Sequence, residues 1–349
     1  MGLKILHSAD WHLGAPFSSI PEPQRGLLRR AQQQLPEQIG AILRSEGCQM
    51  ALLAGDLLDG ITPKATVDSL KAAFRSWQVP VFIAPGNHDF IAPGSPWLEE
   101  DWPENVHIFR GGLTWVSLPE LDCRVYGAGY TSMDCPPLLQ GFRAEGGGKY
   151  CICLLHGDPT AKNSPYCPVS TGEVRESGLD YLALGHIHKA GAFRAGDTLC
   201  AWPGCPMGRG WDETGEKGVN IVTLDQQAEL RHILLDSPRF YTLEADIGYG
   251  AAAAVEGLLP PGGNDHFYRL TLTGFGEADL PALKKQFAHF PNLTLIDQTE
   301  EDLWANAGED TLQGVYFRLL REKAKQDPHA KLAAEISRKL LSGREVTLP

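Results

Sequence analysis

Long apolar runs and positive charge are both scarce in this sequence. No uninterrupted apolar stretch approaches the ~20 residues that a membrane helix requires, and the most Ala-rich segment, Ala251 to Val255, is soon stopped by Pro260 and Pro261. No membrane contact is expected. The N-terminus has no basic region followed by an apolar one, and Leu6 stands where a myristoylation motif needs Ser or Thr. The cytoplasm is the expected location. Lys plus Arg number 31 against 43 Asp plus Glu, a formal charge of -12. Bulk charge therefore cannot hold a polyanion, and any phosphate binding needs a local site. Eight cysteines in 349 residues without a secretory signal read as reduced thiols. Cys151 and Cys153 alternate along an apolar run as core side chains do. Cys200 and Cys205 fall in a Pro/Gly turn with no second pair at zinc-finger spacing, so no thiolate metal site is expected.

What is present, 43% hydrophobic and 21% charged residues, is the balance of a globular chain of about two domains. Five short apolar runs each end in a polar cluster. They are Leu3 to Leu6 before Asp10, Met50 to Ala54 before Gly55-Asp56, and Val79 to Ala84 before Gly86-Asn87-His88-Asp89; the others are Cys151 to Leu155 before His156 and Tyr181 to Leu184 before Gly185-His186-Ile187-His188. Runs of this length read as buried strands. Leu27, Ala31, Leu35, Ile39 and Ile42, then Val67, Leu70 and Phe74, keep helical spacing between the first three. The expected fold class is therefore α/β, with parallel strands and right-handed crossovers. Ligands of such sheets bind beyond the carboxyl ends of the strands, where all five clusters fall. Residues 105 to 130 and 216 to 235 lack helical spacing, the latter in hairpin style, and predict a second, mixed or antiparallel sheet.

After Asp236-Ser237-Pro238 the pattern restarts. Strands at Phe240 to Ile247, Phe267 to Thr273 and Leu293 to Ile296, with a helix from Asp279 to Phe290, predict a small α+β domain over 238–310. Residues 311–349 predict a helical tail broken at Asp327-Pro328, with eight Lys/Arg against three Asp/Glu between 311 and 344. Leu312, Val315, Tyr316, Leu319 and Leu320 share one helical face, and Leu332, Ile336, Leu340 and Leu341 another. The basic side is expected to be the exposed one.

The chemistry concentrates at the strand ends. Asp10 and His12, two apart in an extended segment, would leave on one face and could grip one ion. Asp56, Asn87, His156, His186 and His188 bring the donors to seven, and a bridging Asp56 would let two ions share them. Nitrogen and oxygen donors without thiolate suit manganese, iron or zinc, and the net positive centre attracts a phosphate ester. Such a pair makes hydroxide available at neutral pH for in-line attack on phosphorus. His88 is surplus to the donor count and free to act as general acid, with Asp59 able to orient its imidazole. His7 reads as a core or supporting histidine. Asp89 and Asp158 read as turn formers, and His107, His232, His266, His289 and His329 receive no role.

The order D-x-H, GD, GNHD, H and GHxH resembles the calcineurin-like metallophosphoesterase superfamily. The flanking words Asp10-Trp11-His12-Leu13-Gly14, Gly55-Asp56-Leu57-Leu58-Asp59, Ala183 to Lys189, Trp202-Pro203-Gly204-Cys205-Pro206 and Asp212 to Gly218 are similar to the SbcD and YhaO-like DNA repair exonucleases. The resemblance covers residues 1 to about 235 and fades in the tail. It implies a four-layer α/β/β/α sandwich over 1–237, a capping domain that presents DNA, and a tail that docks on an SbcC-like ABC ATPase. It implies two divalent ions, Mn2+ foremost with Fe2+ or Zn2+ as alternatives. One would be held by Asp10, His12, Asp56 and His188, and the other by Asp56, Asn87, His156 and His186, with His88 as the acid. A homodimer is also implied. Cys205 replaces the usual Ser of a PGSP turn, and Pro36 is expected to interrupt the first long helix. The activity implied is hydrolysis of DNA phosphodiester bonds by an exonuclease with an ATPase partner. The alternative is a phosphoesterase for small diesters such as cyclic nucleotides.

Overall fold

The computed structural model describes residues 2–22, 24–263 and 265–343. It divides into two compact units, residues 1–241 with 265–267, and residues 242–264 with 268–349. The last part of the expected tail, 344–349, lies outside the described residues.

The chain of the first unit runs β1 (Leu3–Ser8), α1 (Gln24–Ser45), β2 (Met50–Leu53), α2 (Lys64–Trp77), β3 (Val81–Ile83), α3 (Pro96–Glu99), β4 (Val106–Ile108), β5 (Thr114–Leu118), β6 (Cys123–Gly127) and β7 (Tyr150–His156). It continues with α4 (Thr171–Glu176), β8 (Tyr181–Gly185), β9 (Gly191–Ala195), β10 (Thr198–Trp202), β11 (Gly218–Leu224) and β12 (Ala228–Leu234). Two six-stranded sheets result, in the orders β12-β11-β1-β2-β3-β4 and β5-β6-β7-β8-β10-β9. β1 to β4 are mutually parallel, as are β6, β7, β8 and β10.

The period of two along these strands sets the layers. Leu6, Ala51, Leu53, Val81 and Ile83 face Leu35, Ile39, Leu43, Leu70, Phe74 and Trp77 of α1 and α2. The opposite face, Leu3, Ile5, Met50, Leu52 and Phe82, meets Val125, Ile152, Leu154, Tyr181 and Ala183 of the second sheet. The far side of that sheet, Cys151, Cys153, Leu155, Leu182 and Leu184, is covered by Leu139, Val169 and Val174. The order is thus helix, sheet, sheet, outer layer, and each fully buried Leu, Ile or Phe contributes about 1.5–3 kcal/mol. The outer layer over the second sheet holds one six-residue helix, α4, and is otherwise irregular.

Three expectations need correcting. The hairpin β11-β12 joins the first sheet, antiparallel to β1, because Val219, Ile221 and Val222 extend both faces of that sheet. α1 runs unbroken with Pro36 buried inside it; the packing of its apolar face outweighs the single backbone bond that proline forfeits. Cys200 belongs to β10, not to the turn that carries Cys205. All eight cysteines are free and buried.

The second unit takes in most of β13 (Phe240–Asp246), α5 (Ala251–Leu258), β14 (Phe267–Thr273), α6 (Leu280–Gln286), β15 (Leu293–Asp297), α7 (Leu312–Ala324) and α8 (Pro328–Leu341). Its sheet order is β13-β14-β15, with β14 and β15 parallel. α5 was not expected. α6 is shorter than expected, started by the Asp279 side chain accepting from the Ala282 amide. Asp327 likewise caps α8, with Pro328 at its first turn. The two last helices meet through Phe317 and Ala334 and a Tyr316–Ser337 hydrogen bond of 2.8 Å, while Arg338 lies 4.2 Å over the Phe317 ring. Leu312 and Leu319, expected to share a packed face, are 89% and 66% exposed. No described helix is long and apolar enough to cross a membrane.

Candidate metal centre

The ends of β1, β2 and β3 in one sheet and of β7 and β8 in the other converge, so residues far apart in sequence share one site. Asp10, His12, Asp56, Asn87 and His156 are all buried there, with His186 and His188 half-buried. Asp10 and His12 do not sit in an extended segment as expected. β1 ends at Ser8, and Asp10 (φ 56°) and His12 (φ 47°) both lie in the left-handed region, as do Asp56 (φ 51°) and His186 (φ 89°). Such backbone costs about 1–3 kcal/mol per residue and persists only where its surroundings over-determine it. Here the Asp10 amide donates to Gly55 O, the His12 amide to Asp56 O and the His186 amide to the Asp10 carboxylate. Gln32 of α1 donates to His12 O at 2.7 Å and accepts from the Gly14 amide, a support no local pattern signalled. Gly55 is required by close approach, because a Cβ there would lie 2.6 Å from His156 Nδ1.

The side-chain donor atoms crowd to within 3.1–3.8 Å of one another. His156 Nδ1 donates to Ala54 O at 2.8 Å, which leaves its Nε2 facing Asn87 Oδ1 (3.1 Å) and Asp56 Oδ2 (3.4 Å); against burial, the Asp56 charge raises the His156 pKa to about 9. His188 Nδ1 donates to Glu213 Oε1 at 2.7 Å, which turns its Nε2 lone pair to His12 Nε2, 3.3 Å away. Asp56 Oδ2 lies 3.8 Å from His12 Nε2 as well, between the two histidine groups. Asp10 Oδ2 is buried with no hydrogen-bond partner among the described residues. An orphaned buried carboxylate oxygen is costly unless a cation sits beside it, and donor atoms of Asp10, His12 and His188, and of Asp10, Asp56 and His156, lie within 4.8 Å of one another. The arrangement fits two divalent cations, and these residues could hold them.

His88 stands at the mouth, its side chain 44% exposed, with Nδ1 3.2 Å from Asp59 Oδ1. That hydrogen bond raises the His88 pKa against the opposing effect of partial burial. His12 Nδ1 is 3.9 Å from the same Asp59 oxygen, too long for a hydrogen bond. Asp158 is the turn former expected, bonding Thr160 and Ala161. Asp89 does more than turn its own loop. It accepts from the Gly86, Asp56, Leu57 and Leu58 amides, tying the loop after β3 to the loop after β2. Burial, with the Asp56 charge beside it, raises its pKa to about 6. His7 is a core residue, bonded to Tyr181 Oη (2.7 Å) and Leu184 O (3.0 Å) across the two sheets. Sequence reasoning also missed Tyr166, whose ring lies 4.7 Å from that of His186, and Arg209 and Glu213, of which only Glu213 fell within a flanking word.

Residues 3–190 match the sequence profile of the calcineurin-like phosphoesterases. The chain belongs to this family. It is 32% identical over 238 residues to the uncharacterized metallophosphoesterase YhaO of Bacillus subtilis (strain 168), a match covering 63% of this chain and 57% of that protein. It is 25% identical over 281 residues to the SbcD component of the SbcCD nuclease of the same organism, covering 67% of this chain and 70% of that one. The corresponding SbcD component from Staphylococcus epidermidis is 22% identical over 340 residues, 86% of each chain. The match to YhaO thus spans little more than half of that relative's length.

Proposed function

We propose that this phosphoesterase is a metal-dependent DNA nuclease, an exonuclease of DNA repair that works with an SbcC-like ATPase. The observation that carries the hydrolytic part is the cluster of buried ligand-type side chains around the orphaned Asp10 oxygen, beside a partly exposed histidine. Asp10, His12, Asp56 and His188 would hold one divalent ion and Asp56, Asn87, His156 and His186 the other, with Mn2+ favoured. Bound there, the ions supply positive charge for a phosphodiester and activate water at neutral pH. The buried strand ends fix the donors in place, so little reorganisation accompanies the reaction. His88 donates the Nε2 proton to the departing oxygen, while Asp59 accepts from Nδ1, holds the ring and favours its charged form.

The DNA part is supported by the flanking words and by relatives named as components of the SbcCD nuclease. Residues 238–310 would cap the substrate. The α7-α8 pair, with Leu312, Leu319, Leu340 and Leu341 exposed beside basic side chains, would dock the ATPase. A second copy of the chain completes the assembly proposed.

The test is Mn2+-dependent hydrolysis of end-labelled duplex and single-stranded DNA, beside a small chromogenic phosphodiester, for the protein and His88→Ala. Degradation from DNA ends that falls about 10²–10⁴-fold in the variant, with metal content unchanged, supports the reading. Cleavage of the small ester alone, with and without an added SbcC-like ATPase, would replace it with a phosphoesterase for small diesters.

A further inference from the structure

The words Trp202 to Pro206 and Asp212 to Gly218 lie outside the proposed donor set, yet they converge on one member of it. His188 is gripped at both ends by the segment that follows β10. The Cys205 amide donates to His188 O at 3.1 Å, with the thiol 3.5 Å from the same oxygen. Gly204 (φ +73°) makes that approach possible, since a Cβ there would lie 2.6 Å from His188 O. At the other end, Glu213 Oε1 accepts from His188 Nδ1 at 2.7 Å, with Arg209 Nη2 3.2 Å from the same nitrogen. Glu213 is 6% exposed and is itself fixed by Arg209, through the backbone amide (2.7 Å), Nε (3.1 and 3.3 Å) and Nη2 (2.7 Å). His156 has only a backbone carbonyl, Ala54 O, in the equivalent place.

We infer that Arg209 and Glu213 are positioning residues for His188, holding its Nδ1-protonated tautomer and making it a stronger donor than His156. The inference rests on the two-ion reading above. A carboxylate on Nδ1, here one shared with Arg209, fixes the tautomer and increases the basicity of Nε2 more than a neutral carbonyl does, and partners of this kind change metal affinity about 10–100-fold. The ion site containing His188 is therefore the one that depends on residues 203–217, while the site containing His156 does not. The same loop also gathers His188, Cys205 and Glu213 donor atoms within 4.8 Å of one another, a spacing that could itself hold a cation. The Arg209 guanidinium already satisfies the Glu213 carboxylate there, and its fork of donors takes the place a third ion would need.

The experiment is Mn2+ titration of the chelator-stripped full chain by calorimetry and electron paramagnetic resonance, for the protein, Glu213→Gln, Glu213→Ala and Arg209→Lys. The same apo proteins are examined by imidazole ¹⁵N NMR. Expected are two ions in the parent protein and a 10–100-fold weaker affinity at one site only in Glu213→Gln. The spin-coupled signal of the pair then gives way to that of a single Mn2+ at intermediate loading. Arg209→Lys falls between. In the metal-free NMR spectra, one histidine leaves the Nδ1-protonated form in Glu213→Ala, with the dispersed amide spectrum of the folded chain retained in Glu213→Gln. Equal affinities at both sites in parent and variants overturn the inference, as does a third ion lost on Cys205→Ala. No Mn2+ bound by the parent protein would instead refute the two-ion reading, and the metal-free tautomer result would still decide whether Glu213 holds His188.

Discussion

The strand-end centre and the α7-α8 pair are opposite cases of how local pattern becomes structure. At the centre nearly every polar group is fixed by several others. Asp56 alone receives the His88 amide on Oδ1, sets Oδ2 between His12 and His156, and has its own amide bonded to Asp89. In the helical pair the apolar contact is Ala307, Phe317 and Ala334 with Trp304 and Leu320 at the edge, joined by one Tyr316–Ser337 hydrogen bond, and larger apolar residues face outward. A motif names residues that must converge, so it carries tertiary information. A helical period names a face but not its cover.

The sharpest break of this contrast is at Asp56. Asp56→Ala removes the oxygen shared by both histidine groups, and loss of all measurable phosphodiester hydrolysis with a drop in bound metal, read by elemental analysis, is expected. The α7-α8 pair should keep its hydrogen-exchange protection, since nothing in its contacts depends on that carboxylate. The converse is Phe317→Ala. Deleting a fully buried ring costs about 3–5 kcal/mol, and exchange of α7 and α8 amides should rise steeply while hydrolysis of a small ester is unchanged. Loss of ester hydrolysis in this variant would show that the two regions are not separable.

A smaller effect lies in the frame of the centre. Burial holds His7 neutral, lowering its pKa to about 3 from 6.5. Between those values the unfolded chain takes up a proton that the folded chain refuses, so stability present above pH 6.5 declines as pH falls, by up to about 1.4 kcal/mol per unit. His7→Gln should lose roughly 1–3 kcal/mol at pH 7 through the disrupted bonds to Tyr181 and Leu184, yet show a flatter acid limb in denaturant midpoints measured from pH 7 to 4. An unchanged slope would assign the acid sensitivity elsewhere.

Much of this was legible in the sequence. The five apolar runs became β1, β2, β3, β7 and β8 because each is short, buried on both faces and stopped by a turn. All seven proposed donors came together because each sits just past such a stop. What stayed hidden were long-range supports: Gln32 reaching His12 from α1, Asp89 bonding the next loop, and Glu213 reaching His188 across 25 residues. None of these carries a spacing signal. The geometry of Asp10 and His12 was hidden too, because left-handed backbone at a non-glycine residue is imposed by partners and not by the residue itself.

The finest test falls on the exposed side of α7. Leu319 is 66% exposed, so replacing it with Asp removes little buried area, and the melting temperature and small-ester hydrolysis should both stay where they are; substitutions at such positions stay within about ±0.5 kcal/mol. If the apolar face is a docking surface, the same change must weaken association with an SbcC-like ATPase and any DNA hydrolysis that depends on it, since a charge would be desolvated in the new interface. Stability and partner binding thus respond independently at Leu319, whereas at Phe317 they fall together. A variant that lost stability without affecting association would mean that the face is covered within this chain, and the period along α7 would then have reported ordinary packing.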